Sequence, residues 1–245
     1  MEWYHLLLLF GIGLAAGFIN VMAGGGSTLT LPILIFLGLD GATANGTNRV
    51  AILIQNIFAV WGFHQKKYSS FKLSLKYALF TLPGAVIGAL VAVQISDILF
   101  KRLLSLVIIL VVISMLLPRP REAAEDDMPA QGWLYLALFG IGFYGGFIQA
   151  GVGFLLMAAL FHLARLNLVQ VNMHKVFIVL IYMIPALAIF AWNGNVDWGL
   201  GLALAAGNAS GAWLSARLAV KRGEKTVRAV LMVALIVMAY KLLLA

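Results

Sequence analysis

The sequence predicts an all-α polytopic membrane protein made of two inverted repeats of five hydrophobic segments each, and three observations predict it. The first is composition: 63% of the 245 residues are hydrophobic, only 11% are charged and the mean hydropathy is +1.01. Soluble domains carry about 25% charged residues. The second is segmentation, because apolar runs lie at 4–23, 28–39, 43–63, 73–95, 98–117, 133–152, 154–165, 168–191, 198–219 and 226–245. The third is recurrence. In each set of five the second run is the short one, and it follows a glycine-rich turn, Ala23-Gly24-Gly25-Gly26 before the second run and Ala150-Gly151-Val152-Gly153 before the seventh.

Run by run, most segments have the ~20 residues that cross a bilayer as helix. The first lacks a basic leader region and an A-x-A cleavage site, so it reads as mature structure rather than a signal peptide. The second and seventh, at about a dozen residues, reach roughly 18 Å as helix. That is little more than half of a hydrocarbon core ~30 Å thick, so each reads as a half-helix hanging from its glycine turn. Further echoes support the repeat: Gly17-Phe18-Ile19-Asn20 matches Gly146-Phe147-Ile148-Gln149, Asn45 falls opposite Asn172, and Gly84-x-x-x-Gly88 on the fourth run matches Gly207-x-x-x-Gly211 on the ninth. Pro83 and Pro185 sit inside the fourth and eighth runs, where proline kinks a helix or shapes its packing. Trp3, Trp61, Trp133, Trp192 and Trp198 lie near run ends, as an interfacial belt requires. The organisation that follows is a first transmembrane repeat at 1–117, a polar Pro-flanked cytoplasmic linker at 118–132 and a second repeat at 133–245.

Charge sets the expected topology. Lys66, Lys67, Lys72 and Lys76 flank the third loop, and Arg217, Lys221, Arg222, Lys225 and Arg228 crowd the ninth, so both loops are expected on the cytoplasmic side. The net charge of +8 is thereby accounted for by loops beside apolar runs, and nucleic acid is not an expected partner. An odd number of crossings per repeat inverts the second copy, provided that the short arms return across half the membrane. If they do not, eight crossings and parallel repeats result.

The chemistry lies in two places. A glycine turn opening a helix at membrane depth presents unpaired backbone N–H groups and the positive end of a helix dipole, which together favour an anion. Gly24, Gly25 and Gly26 let backbone approach a ligand, Ser27 or Thr28 caps the arm or donates a hydroxyl, and Gly151 and Gly153 repeat the turn. Close helix crossing alone would also use such glycines. The second place is charge inside apolar sequence. Arg49 sits two turns into the third run behind Asn45, Thr47 and Asn48, and Lys175 two turns into the eighth behind Asn172 and His174. Buried ions belong to pathways more often than not, although side chains this long could also snorkel to the headgroups. The pairs Gln55-Asn56 and Asn208-Ser210 read as helix bridges or pathway lining.

The absences narrow the class. With no cysteine there is no disulfide framework, thiolate metal site or cysteine nucleophile. No acidic residue lies well inside an apolar run, which argues against a cation pump or channel. No G-x-x-x-x-G-K-[ST] loop is present, and Gly25-Gly26-Ser27-Thr28-Leu29 lacks the closing glycine of a hydrolase elbow. No catalytic residue, cofactor or metal is expected. A proton, if one is coupled, would use His174 or an outer aspartate such as Asp40.

The stretch AGFINVMAGGGSTLTLPILIFLGLDGATANGTN resembles the signature of the TauE/SafE sulfite exporter family, with its glycine turn, proline-bearing short arm (Pro32) and A-x-G-T element (Ala44-Asn45-Gly46-Thr47). The likeness extends to the second copy and to Pro83-Gly84-x-x-x-Gly88. It implies a bacterial inner-membrane transporter of small sulfur-containing anions such as sulfite or organosulfonates, working by alternating access around a midplane site. Gly24 to Ser27 and Asn45 to Thr47 are the residues it carries over, with their counterparts in the second half. Phe154 in place of the serine, and Asn172-Met173-His174 in place of Asn-Gly-Thr, depart from the pattern. A passive anion channel is the alternative that shares the same cationic lining, and the identity of any coupling ion stays open.

Overall fold

The computed structural model describes residues 3–66, 70–116 and 131–218, and among them helices joined by short turns make up the chain, with no strand. Among the described residues nine helices follow in order: α1 Trp3–Ala23, α2 Ser27–Phe36, α3 Gly41–Gln65, α4 Phe71–Ala92, α5 Asp97–Leu116, α6 Gln131–Phe147, α7 Val152–His162, α8 Leu168–Trp192 and α9 Trp198–Leu218. The tenth run at 226–245 lies outside the described residues, as do linker residues 118–130. Helix α6 begins at Gln131 among the described residues.

The two short runs are short helices of 10 and 11 residues, α2 and α7. Each is followed by a helix that a polar side chain starts. Asp40 accepts from the Thr43 N–H at 3.0 Å at the head of α3, and Asn167 forms a reciprocal capping box with Gln170 at the head of α8. These caps satisfy amides that would otherwise be orphaned at the first helical turn. Helices α4 and α8 run unbroken through Pro83 and Pro185.

Packing couples the halves crosswise. The most extensive pairing is α1 on α9, and the next is α4 on α6. Both rest on glycine. A methyl group on Gly207 or Gly211 of α9 would run into the carbonyls of Phe10 and Leu14 on α1, and one on Gly84 or Gly88 of α4 into those of Phe139 and Phe143 on α6. The small-residue faces read from the sequence therefore join the first helix of one half to the fourth of the other, backbone against backbone.

Each half-helix anchors one core. Leu31 and Leu34 of α2 pack with Phe100, Leu104 and Ile108 of α5, while Leu156 and Leu160 of α7 pack with Leu138, Ile178 and Tyr182 of α6 and α8. Outward faces stay apolar: Leu7, Phe58, Leu79, Leu110, Leu136 and Ile184 are exposed. Leu6–Ala23, Phe71–Ala92 and Leu168–Trp192 are long and apolar enough to cross a membrane by length and composition. Exposed leucine and phenylalanine over so much of the surface suit lipid as solvent.

One substitution pair tests the crosswise glycine packing. Gly88→Ala is expected to cost about 1–3 kcal/mol, the usual toll of overpacking, whereas Gly140→Ala on α6, with nothing within 4 Å of the added methyl, is neutral or stabilising. Thermal melting of the purified protein in detergent reads the difference, and equal melting of the two variants contradicts the packing.

Candidate functional site

The glycine turns meet. Gly24 has φ +82 and Gly151 φ +71, left-handed conformations that glycine adopts without a steric penalty. They turn the chain out of α1 and α6 and into the two half-helices. A methyl group on Gly24 would lie 2.5 Å from the Gly153 carbonyl carbon, and one on Gly153 would strike Gly24 in return, so the two turns lie backbone to backbone. Close approach here is between the halves. Ser27 spans the crossing by donating to the Gln149 carbonyl at 3.3 Å, and Thr28 donates back to the Gly25 carbonyl.

No side chain caps the N-terminus of α2, at Gly26, or of α7, at Gly151. This contrasts with the capped heads of α3 and α8. Two helix starts with orphan amides and positive dipole ends therefore converge in a buried place, where Gly24, Gly25, Gly26, Gly151 and Gly153 are all buried.

The two cations flank this crossing, and neither snorkels. Arg49 is fully buried and Lys175 is 3% exposed. Arg49 donates to the carbonyls of Gly145, at 3.3 Å, and of Gly146, at the end of α6, with its guanidinium 4.5 Å from the centre of the Phe190 ring. Asn45 adds a bond to the Phe147 carbonyl at 2.7 Å. Lys175 donates to the carbonyls of Asn20 and Val21, at 3.1 and 2.9 Å, at the end of α1, and to Asn172 at 2.8 Å. Each cation thus caps the negative end of the other half's first helix. Among the described residues no carboxylate pairs with either; the one ion pair there is Lys101 with Asp97 at 2.9 Å, at the opening of α5.

Some hydrogen-bonding capacity is left over. Thr30 donates to Asn48 Oδ1 at 2.6 Å, fixing that amide, while Asn48 Nδ2 and Arg49 Nε are buried without partners. Both are donors. Two residues grouped with the site by sequence face elsewhere. Thr47 accepts from the Asp197 N–H at 2.9 Å ahead of α9, and His174 bonds Ser74 at 2.7 Å with its ring edge-on to Tyr77. Sequence reasoning missed Thr30, Tyr182 and Tyr144. Tyr182 donates to Gln149 Oε1 at 3.0 Å, and Tyr144 to the Ala150 carbonyl, so both brace the second turn. The available signal was a tyrosine hydroxyl inside an apolar run, which must find a partner when buried.

A bundle of apolar helices with exposed hydrophobic faces, and a cationic centre with no carboxylate among the described residues, defines a multi-pass membrane protein. The chain belongs to the sulfite exporter TauE/SafE family, whose model matches residues 9–242. It is similar to the probable membrane transporter protein YfcA of Escherichia coli K12, 29% identical over 239 residues covering 96% of this chain and 88% of the relative. A probable membrane transporter protein of a Sinorhizobium species, ORF9, is 29% identical over 243 residues, with 98% and 93% covered. One from Haemophilus influenzae is 27% identical over 240 residues, with 97% and 94% covered. No solved structure matches the chain.

Crosswise capping makes a local prediction. Lys175→Met should destabilise the protein by about 1–3 kcal/mol, the cost of leaving buried carbonyls unpaired, and should speed amide exchange in the last turn of α1 in the opposite half. Arg49→Met should do the same at the end of α6. Hydrogen exchange with mass spectrometry resolves the two; acceleration confined to the mutated helix contradicts the arrangement.

Proposed function

We propose that the protein is a secondary transporter, and specifically an exporter, of small sulfur-containing anions such as sulfite or organosulfonates in the bacterial inner membrane. Two inverted repeats, 1–117 and 133–245, would rock about the crossing and expose it to one side at a time, with 118–132 as the cytoplasmic link. The observation that carries this reading is the convergence of two uncapped helix N-termini beside two buried cations with no carboxylate among the described residues to neutralise them. An uncompensated cation in a low-dielectric interior is costly, and an anion entering there removes part of that cost.

In this reading the amides of Gly25 to Ser27, and those of Gly151 and Gly153, receive sulfonate or sulfite oxygens. Asn48 Nδ2 and Arg49 Nε supply the free side-chain donors, and the charge of Arg49 and Lys175 supplies the field. Asn45 and Asn172 hold the two cations, since each bonds its own: Asn45 accepts from Arg49 at 3.4 Å and Asn172 from Lys175. Thr47 and His174 then act on the closing of the bundle rather than on the anion, because their partners lie at Asp197 and Ser74. The contact between Gly24 and Gly153 is the seal that transport must open. The family relation and the relatives' names support transport, and the sulfur anion follows from the family description.

Asn48→Leu tests the site without dismantling a cap. Sulfite affinity in a thermal-shift titration is expected to fall about tenfold, near the worth of one hydrogen bond to a charged group, while stability without ligand falls only by about 1 kcal/mol, the worth of the lost bond from Thr30. Saturable sulfite counterflow in proteoliposomes is the accompanying expectation. Unchanged affinity removes Asn48 from the site, and flux that does not saturate means a channel.

A further inference from the structure

Away from the crossing, α1, α3 and α9 enclose an open groove of about 640 Å³. Its walls are apolar, from Leu14, Ile54, Phe58 and Leu202, and its floor is shallow alanine, Ala205, Ala206 and Ala209. From Leu202 to Trp213 the lining runs roughly 17 Å along α9 at the helical rise. That is close to one leaflet's share of a hydrocarbon core ~30 Å thick.

The groove ends in a built polar head. Trp61 of α3 and Trp213 of α9 stack with centroids 6.4 Å apart, and the Arg217 guanidinium lies 4.0 Å over the Trp213 ring. Gln65 Oε1 accepts from Arg217 Nε at 3.3 Å and from Nη2 at 2.9 Å, which holds the guanidinium at the mouth. Among the described residues Arg217 meets no carboxylate, and Lys66 follows Gln65 directly. The Trp213 indole N–H is buried without an acceptor. A cation stacked on an indole at the rim and an apolar trough of leaflet depth match an anionic phospholipid in order: phosphate, then acyl chain.

The fold does not require these groups. Trp213 and Arg217 stand two and six residues beyond Gly211 of the α9 glycine pair, and at the same steps beyond Gly88 of α4 the residues are Leu90 and Gln94. The same crosswise packing is thus made without a cation or a tryptophan.

We propose that this groove is a binding site for one anionic phospholipid, with the headgroup on Arg217 and an acyl chain laid along the alanine floor. Basic recesses between spanning helices hold anionic headgroups in this way. The site is separate from the crossing and stands whether or not the transported anion is sulfite.

Purified protein in detergent is titrated with phosphatidylglycerol, phosphatidylcholine or inorganic phosphate, with melting followed and retained lipid counted by native mass spectrometry. One phosphatidylglycerol per chain is expected to persist and raise the melting temperature, with neither phosphatidylcholine nor phosphate doing so. Arg217→Gln should weaken retention about fivefold, the effect of one cation near an anionic headgroup. Ala206→Trp, which fills the trough from its exposed side, should abolish retention while leaving melting in phosphatidylcholine unchanged. Equal retention of the two lipids, a shift from phosphate alone, or full retention by both variants overturns the proposal. Disulfide crosslinking of a Leu202→Cys variant to a second copy also overturns it, by showing the groove filled by protein.

Discussion

Arg49 and Lys175 sit in an interior where no described carboxylate answers them, and their charge is carried instead by the carbonyl ends of two helices. Each reaches across the molecule to the first helix of the opposite half. The geometry around the crossing follows from this. A helix that ends in the interior needs its last carbonyls satisfied, and a cation supplies both hydrogen bonds and the favourable sign toward the dipole. Helices α1 and α6 can therefore stop short at Ala23 and Phe147 and let the chain turn into the half-helices. The cations do structural work whatever else they do.

The same arrangement explains why the centre stays positive. Helix C-termini occupy the cations from one side, and the uncapped starts of α2 and α7 face each other a few residues later. A side-chain cap on either start would have satisfied the orphan amides and removed the attraction for an anion. Asp40 and Asn167 show that the chain uses such caps freely on the very next helices. Helix α4 also starts without a side-chain cap, at Ser70, but the uncapped starts of α2 and α7 are the ones that lie where the glycine turns touch.

Much of this was legible in the sequence, because it rests on periodic or compositional signals. The short second and seventh runs, the paired glycine turns, the matching small-residue faces and the two cations behind asparagines could all be read from spacing. Particular residues were harder. Thr47 and His174 stand among site residues in the chain, yet a helix turns 100° per residue, so Asn45 and Arg49 share a face while Thr47 and Asn48 each address a different neighbour. Which neighbour each meets depends on the crossing of α3 with α6, α2 and α9. Thr30 was passed over as one hydroxyl in an apolar arm, and only the placement of α2 against α3 makes it the residue that orients Asn48.

The sequence by itself determined the class of molecule, the two short helices and the positions where backbone bends, because hydrophobic length and glycine act locally. Tertiary structure alone decided that the first helix of each half pairs with the fourth of the other, that the two turns touch, and that both cations end on carbonyls instead of in water. Those outcomes depend on contacts between residues far apart in the chain, Arg49 with Gly146 across 97 positions and Lys175 with Val21 across 154 among them. A polar group buried in an apolar bundle takes whichever partner the packing brings within reach.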